Sequence, residues 1–438
     1  MNATSKNPAV GVDADKRTAR AFRAGGPKAS MSNEARRTSG FKSRTPLEVA
    51  HERLIEAIDP HDRTERLPLN MADGRAVAAT VTSPNPVPSY DRAAMDGFAV
   101  RAEDTIGAGD RSPKTLETLA PESSVLPGTA RRVHTGSELP EGADAVVMIE
   151  QVEENDDTIA VHQAVAEGQN VGDAGEDVAE GQTLYEPGHR LRPSDLGLLR
   201  SVGLWDITVY KEPTVGVIPT GEELVEADPE PGEIIETNGL AVSQFVDRWG
   251  GEATYRDIVT DDEAALRAAI QRDLTKDIIV TTGGSSVGER DLIPEVVDEL
   301  GEVVVHGVAI KPGYPVAFGV VQETPVIMLP GYPVSCLIGA LQLLRPALKS
   351  MGHLPDEPFA SQAATLTRKL PSEPGTRTFA RVETEQADDG LQATPVRVKG
   401  AGVLSSVALA DGWVVVPEDR EGYAEGAQVT IEHWEGQP

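Results

Sequence analysis

The stretch Asp277-Ile278-Ile279-Val280-Thr281-Thr282-Gly283-Gly284-Ser285-Ser286-Val287-Gly288-Glu289-Arg290-Asp291 decides how the middle of the chain is read. An apolar run over 277–281 predicts a buried strand, the small residues a loop, and Leu292–Leu300 the helix that follows. Gly283 and Gly284 let backbone N–H groups come close to a ligand, and the helix N-terminus adds partial positive charge. Ser285 and Ser286 add hydroxyls, and Asp291 a carboxylate. A Gly-Gly pair alone fits a tight turn equally well. Together with Asp291 it points to a phosphate-binding loop.

Outward from this loop the texture stays the same. Strands are predicted at 214–218, 254–258 and 325–329, with helices at 239–249, 263–274 and 334–348 between and after them. Strand–helix alternation with short loops implies a three-layer α/β domain with a mostly parallel sheet, whose ligands sit at the carboxyl ends of the strands. The loops there carry chemistry-bearing groups. Pro219-Thr220-Gly221-Glu222-Glu223-Leu224 follows one strand and Asp261-Asp262 another. Glu223, Asp261 and Asp291 are thus expected at one sheet edge, and carboxylates beside a phosphate loop suggest Mg²⁺. Asp261 equally suits a helix N-cap. Lys311, set between Pro312, Gly313 and Pro315, is either a rigidly placed cation for an oxyanion or a surface residue on a hairpin turn. Leu329-Pro330-Gly331-Tyr332-Pro333-Val334-Ser335 runs from strand to helix and offers Ser335 in the first turn. Cys336, the single cysteine, reads as a small buried residue, because nothing nearby would activate it.

The flanks differ. Residues 1–44 hold ten Lys/Arg against three Asp/Glu and no apolar periodicity, which predicts a disordered basic tail. A helix is predicted from Pro46, with Thr45 as N-cap. Residues 94–170 and 171–210 are rich in short strands broken by Gly, Pro and Asp. From about 355 short strands return and predict a small β-barrel or sandwich. In the β-rich part, Ser89–Val100, which contains Asp96, and Thr135–Asp144 are dense in polar groups and read as turns or as site loops. The net charge of −30 makes nucleic acid an unfavourable partner. It also implies a hydrated, salt-tolerant, halophile-like surface. No apolar run is long enough to span a membrane, and no secretory leader is evident; with one cysteine this predicts a cytoplasmic protein.

Seven blocks in order resemble the MoeA family of molybdopterin molybdenumtransferases and the related E domain of gephyrin. They are SYDRAAMDGFAV (89–100), HTGSELPEGADAVV (134–147), PTGEEL (219–224), ETNG (236–239), TTGGSSVGERD (281–291), AIKPGYPVAFG (309–319) and LPGYPVS (329–335). The resemblance implies a multidomain α/β plus β fold. An elongated domain I would comprise 45–88 and 171–210, and domain II, 89–170, would be a β-rich insertion. Domain III, 211–353, would be a MoaB/MogA-like molybdopterin-binding domain, and domain IV, 354–438, a C-terminal β-barrel. It implies a homodimer with the site between domains III and IV of one subunit and domain II of the other. By motif, catalytic positions are Asp96, Thr135, Glu223, Asp261 and Asp291, with Asp261 and Asp291 holding Mg²⁺. Substrate would meet Gly283, Gly284, Ser285, Ser286, Lys311, Pro330, Pro333, Ser335 and Arg381. The implied substrates are molybdate and adenylylated molybdopterin, with AMP released, and a molybdopterin adenylyltransferase is an implied partner. A tungstate-specific paralogue, an adenylyltransferase and a non-catalytic gephyrin-like scaffold are the alternatives. The chain departs from the family pattern at Tyr314 and Gly307, where Lys is frequent, and near Gly400-Ala401, where a Ser is absent although Ser405-Ser406 lie close.

Overall fold

The computed structural model describes residues 44–284, 292–388, 390–396 and 402–434. Its centre is a six-stranded sheet in the order Glu252–Tyr255, Thr214–Pro219, Ile278–Thr282, Thr324–Leu329, Ala317–Val321, Glu302–His306. The first four strands run parallel, and the last two add antiparallel at one edge. That edge pair is absent from the sequence reading, because its apolar residues flank the Lys311 loop and were absorbed into it.

Alternation along the central strands sends side chains to two cores. Val215, Val217, Ile278, Val280, Ile327 and Leu329 pack with Val242 and Val246 of helix Asn238–Arg248 and with Ile338 and Leu344. Ile218, Ile279, Val326 and Met328 pack with Leu266 and Ile270 of helix Glu263–Arg272 and with Ile293 and Val297 of helix Leu292–Leu300. Helices on both faces explain why these strands are apolar throughout rather than alternating with polar residues.

Several element ends differ from expectation. The strand expected at 254–258 is Glu252–Tyr255. The first helix is Leu47–Ala57 with Pro46 at the N-cap, and Thr45 instead forms a parallel bridge to Val308. The helix expected at 334–348 spans Pro333–Gly339, a π segment Ala340–Leu344, and Arg345–Met351. Pro346 has no N–H for the Gln342 carbonyl, and the His51 ring nitrogen donates to that carbonyl at 2.7 Å instead.

N-terminal to this sheet, the chain makes a nest of antiparallel pairs. Thr64–Pro68 pairs with Asp206–Tyr210, Val81–Thr82 with Thr183–Tyr185, and Arg92–Ala93 with Val171–Gly172. Inside the innermost pair sits a second six-stranded sheet, in the order Ala145–Met148, Gly97–Val100, Thr129–Val133, Lys114–Thr118, Thr158–Val161, Val152–Asn155. It has its own core of Phe98, Val100, Leu116, Val147, Ile159 and Val161.

C-terminal to the central sheet, Arg377–Ala387, Gly390–Pro395, Ser361–Leu366, Gln428–His433 and Gly412–Val416 pair in a ring that closes back on Arg377–Ala387. This is a five-stranded barrel around Leu366, Val382, Ala393, Val414 and Ile431. The expected combination of α/β centre, β-rich insertion and C-terminal barrel is therefore present. No described helix is long and apolar enough to cross a membrane.

Candidate active site

The carboxyl ends of three parallel strands interlock. Thr220 N–H donates to the Thr282 carbonyl at 3.1 Å, and Gly283 N–H donates to the Leu329 carbonyl at 3.0 Å. Gly283 has φ +125°, and a Cβ there would overlap the Thr220 carbonyl. A Cβ on Gly331 would lie 3.6 Å from the Gly283 Cα. Glycine at 283 is thus required by backbone approach as well as by its dihedral. Pro330 is buried beside this contact, while Gly331 and Tyr332 are exposed. The Thr220, Thr281 and Thr282 hydroxyls are buried without a hydrogen-bond partner among the described residues.

The next loop runs alongside. Gly221 N–H donates to the Val259 carbonyl at 3.1 Å, and Thr220 bridges Val259 in parallel. Glu223, three residues past Thr220, is exposed, and Asp261, two past Val259, is half-buried. The N-cap of helix Glu263–Arg272 is Asp262, whose carboxylate accepts from Ala265 N–H at 2.9 Å. Capping is therefore not the task of Asp261. Gly284 is described, whereas Ser285, Ser286 and Asp291 lie outside the described residues.

Around the same edge the ETNG block has a role that sequence reasoning left unassigned. Glu236 is buried and accepts from Gly239 N–H at 2.6 Å and from the Tyr255 hydroxyl. Burial, and then the Glu236 carboxylate, hold the Tyr255 phenol above its ordinary pKa, so it stays a donor. Asn238 Nδ2 donates to the Gly331 carbonyl at 2.8 Å. An acidic residue just before a helical run is a capping signal, and it could have identified Glu236.

Lys311 lies between two domains. Ile310–Lys311 pairs in parallel with Arg377–Thr378 of the barrel, while the same segment closes the hairpin through Gly307 N–H to Val316 O at 3.1 Å. Its side chain is exposed, with Glu373 at 3.8 Å. A Cβ on Gly313 would lie 3.3 Å from the Ser335 carbonyl, so this loop packs on the first turn of the helix beginning at Pro333. Ser335 itself is buried. At Tyr314, the Arg44 guanidinium sits 5.0 Å from the ring centroid and also donates to Thr376 at 3.2 Å. Arg381, on barrel strand Arg377–Ala387, is half-buried; burial holds its guanidinium below its ordinary pKa, and its Nε has no partner among the described residues.

Asp96 and Thr135 meet in the insertion. Both Thr135 N–H, at 2.7 Å, and its hydroxyl, at 3.0 Å, donate to Asp96 Oδ1. The N–H first and the hydroxyl second hold the carboxyl below its ordinary range. Both side chains remain exposed. Cys336 is fully buried, and burial raises its thiol pKa far above the usual value, so it is no nucleophile.

Comparison with known proteins agrees with this architecture. The family model described as "MoeA N-terminal region (domain I and II)" matches residues 45–203. "Probable molybdopterin binding domain" matches 216–350, and "MoeA C-terminal region (domain IV)" matches 363–434. A Methanocaldococcus jannaschii protein named for molybdopterin biosynthesis is 36% identical over 406 residues, 89% of this chain and 98% of its own. The molybdopterin molybdenumtransferase of Haemophilus influenzae is 33% identical over 399 residues, 88% of this chain and 98% of its own. The crystal structure of the molybdopterin biosynthesis MoeA protein from Pyrococcus horikoshii aligns with a TM-score of 0.78 at 35% identity, over 90% of this chain and 100% of that one. Three models matched in order, and relatives matched over nearly their whole length, place the chain in one group: it belongs to the MoeA family.

Proposed function

We propose that this chain is a molybdopterin molybdenumtransferase. It would take molybdate and adenylylated molybdopterin, bond molybdenum to the dithiolene sulfurs with one molybdate oxygen leaving as water, and release AMP as water cleaves the phosphoanhydride. The observation that carries the reading is the carboxyl-end edge of the parallel sheet, where the turns at Thr220, Gly283 and Gly331 come together. Ligands of parallel α/β sheets sit at such carboxyl ends, and a protein of charge −30 needs a local site of this kind because its overall field repels anions.

In this reading Thr220 and the Gly283-Gly284 turn hold the pyrophosphate, with Ser285 and Ser286 completing the loop. Lys311, Arg381 and the Ser335 turn hold the tetrahedral oxyanion, with Pro330 and Pro333 keeping that turn rigid. Asp96, oriented by Thr135, stays ionised and would orient a reacting group from the insertion of the partner subunit in a homodimer. Among the described residues no group of three or more His, Cys, Asp and Glu is arranged to hold a metal. The edge does offer hard oxygen donors on adjacent loops, which fits Mg²⁺, an ion that takes one or two carboxylates and completes its shell with substrate oxygens and water. Asp261 and Asp291 would hold it, with Glu223 beside them, and once bound it would offset the pyrophosphate charge.

The test is direct. Purified chain is given adenylylated molybdopterin, molybdate and Mg²⁺, and AMP is quantified together with reactivation of an apo-molybdoenzyme. AMP release tied to cofactor formation, and abolished by chelation, is expected. Consumption of ATP with free molybdopterin would identify an adenylyltransferase instead, and inertness toward both would identify a scaffold. Turnover on tungstate, run alongside, decides which oxyanion is native.

A further inference from the structure

A cavity of about 380 Å³ opens at the other end of the helical run that starts at Pro333. At about 1.5 Å per residue this is roughly 20 Å from that helix's first turn. Its lining includes Pro187, Tyr210, Lys349, Ser350, His353 and Leu354.

Lys349 is the unusual member. Its residue is 5% exposed, yet its ammonium makes no hydrogen bond or ion pair among the described residues. The neighbouring cations are already neutralised: Arg190 pairs with Glu357 at 2.9 Å and Arg345 with Asp356 at 2.6 Å. Both guanidiniums still oppose charge on Lys349. Burial first, then Arg190 and Arg345, push its pKa down to about 8. Glu357 and Asp356 favour its charge more weakly, being held by the two arginines, so a largely buried lysine is left without a close counter-charge. The other polar groups leave it alone: His353 Nε2 donates to the His61 carbonyl at 2.8 Å, and its ring stacks on Tyr210 at 3.8 Å between centroids. The stacked ring with Pro187 and Leu354 gives the cavity an apolar wall.

We propose that this cavity binds a small organic anion, whose phosphate or carboxylate group pairs with Lys349 and whose apolar body lies against Tyr210, Pro187 and Leu354. The volume exceeds what a bare oxyanion fills, and the wall favours a body that a bare oxyanion lacks. An anion there supplies the counter-charge that the surrounding elements spend on Arg190 and Arg345.

The test uses the full chain with phenyl phosphate, benzoate and inorganic phosphate as probes at constant ionic strength. Calorimetry is expected to show phenyl phosphate or benzoate binding at least about tenfold more tightly than inorganic phosphate. The preferred head group identifies the source as an organic phosphate or a carboxylate. In the unaltered protein, the bound probe slows acetylation of Lys349 by acetic anhydride, read by mass spectrometry, while exposed Lys211 reacts as before. K349M abolishes the heat; the labelling arm stands whether or not that variant folds. No organic probe binding, no protection of Lys349, or equal affinity for inorganic phosphate would each overturn the proposal.

Discussion

The strand-end edge of the α/β domain and the Asp96–Thr135 pair of the insertion hold polar groups in opposite ways. At the edge, Thr220, Gly283 and Leu329 are locked by backbone hydrogen bonds, and the hydroxyls are buried. In the insertion, an exposed carboxylate is held by a single neighbouring residue. The first arrangement spends fold stability to shape a site. The second sets a carboxylate on the surface of a fold that does not depend on it. Changes to the edge backbone should therefore cost stability and activity together, and removal of the insertion's carboxylate should cost activity alone.

The largest effect is expected from Gly283→Ala. The added Cβ meets the Thr220 carbonyl in a left-handed conformation, so urea unfolding should show a loss of at least about 3 kcal/mol. Gly136→Ala provides the contrast. That glycine also has positive φ, but nothing lies within 4 Å of its added Cβ, and only about 1 kcal/mol should be lost. Equal costs at the two sites would dissolve the distinction.

Asp96→Ala should come next, lowering AMP release by about 100-fold while leaving the urea unfolding midpoint unchanged. A large stability loss there would make the pair structural. Thr220→Val should separate the two properties at the edge. Replacing a buried hydroxyl that has no partner among the described residues with a methyl should raise stability by up to about 1 kcal/mol yet slow AMP release about tenfold; unchanged turnover would remove the hydroxyl from the site.

The smallest effect is a pH shift. Thr135 donors favour the ionised Asp96, so Thr135→Val, which keeps the N–H but loses the hydroxyl, should raise the Asp96 pKa. The acid limb of kcat/KM should then move to higher pH. A limb that stays in place would assign it to another group.

Legibility in the sequence followed the physics of each region. The central strands were readable because burial on both faces leaves long apolar runs, and Asp277–Thr282 shows this plainly. Barrel strands were readable through their turns. The antiparallel edge pair was missed because Val303–Val305 and Ala317–Val321 border a Gly/Pro loop that invites a functional reading. The π segment was invisible because it arises from Pro346 and a distant His51, a contact no local window contains. At the strand-end edge, glycines and carboxylates stood out by type, and the local cap of Glu236 on Gly239 was within reach of a sequence window, but its hydrogen bond from Tyr255 depends on a fold that joins residues 19 apart. Family resemblance, rather than spacing, brought Asp96 and Thr135 together, since 39 residues separate them.

The nested antiparallel pairs of the N-terminal half carry a consequence for how the chain assembles. Thr64–Pro68 must find Asp206–Tyr210 across more than a hundred residues, a slow search for an open coil. Yet the two ends of the insertion leave side by side at Arg92–Ala93 and Val171–Gly172. Once the insertion has collapsed around its own core, it acts toward the outer ladders as a short linker. Each ladder then brings the next pair within reach, as a zip closes outward from its slider, and the longest-range contact becomes the last and easiest to make.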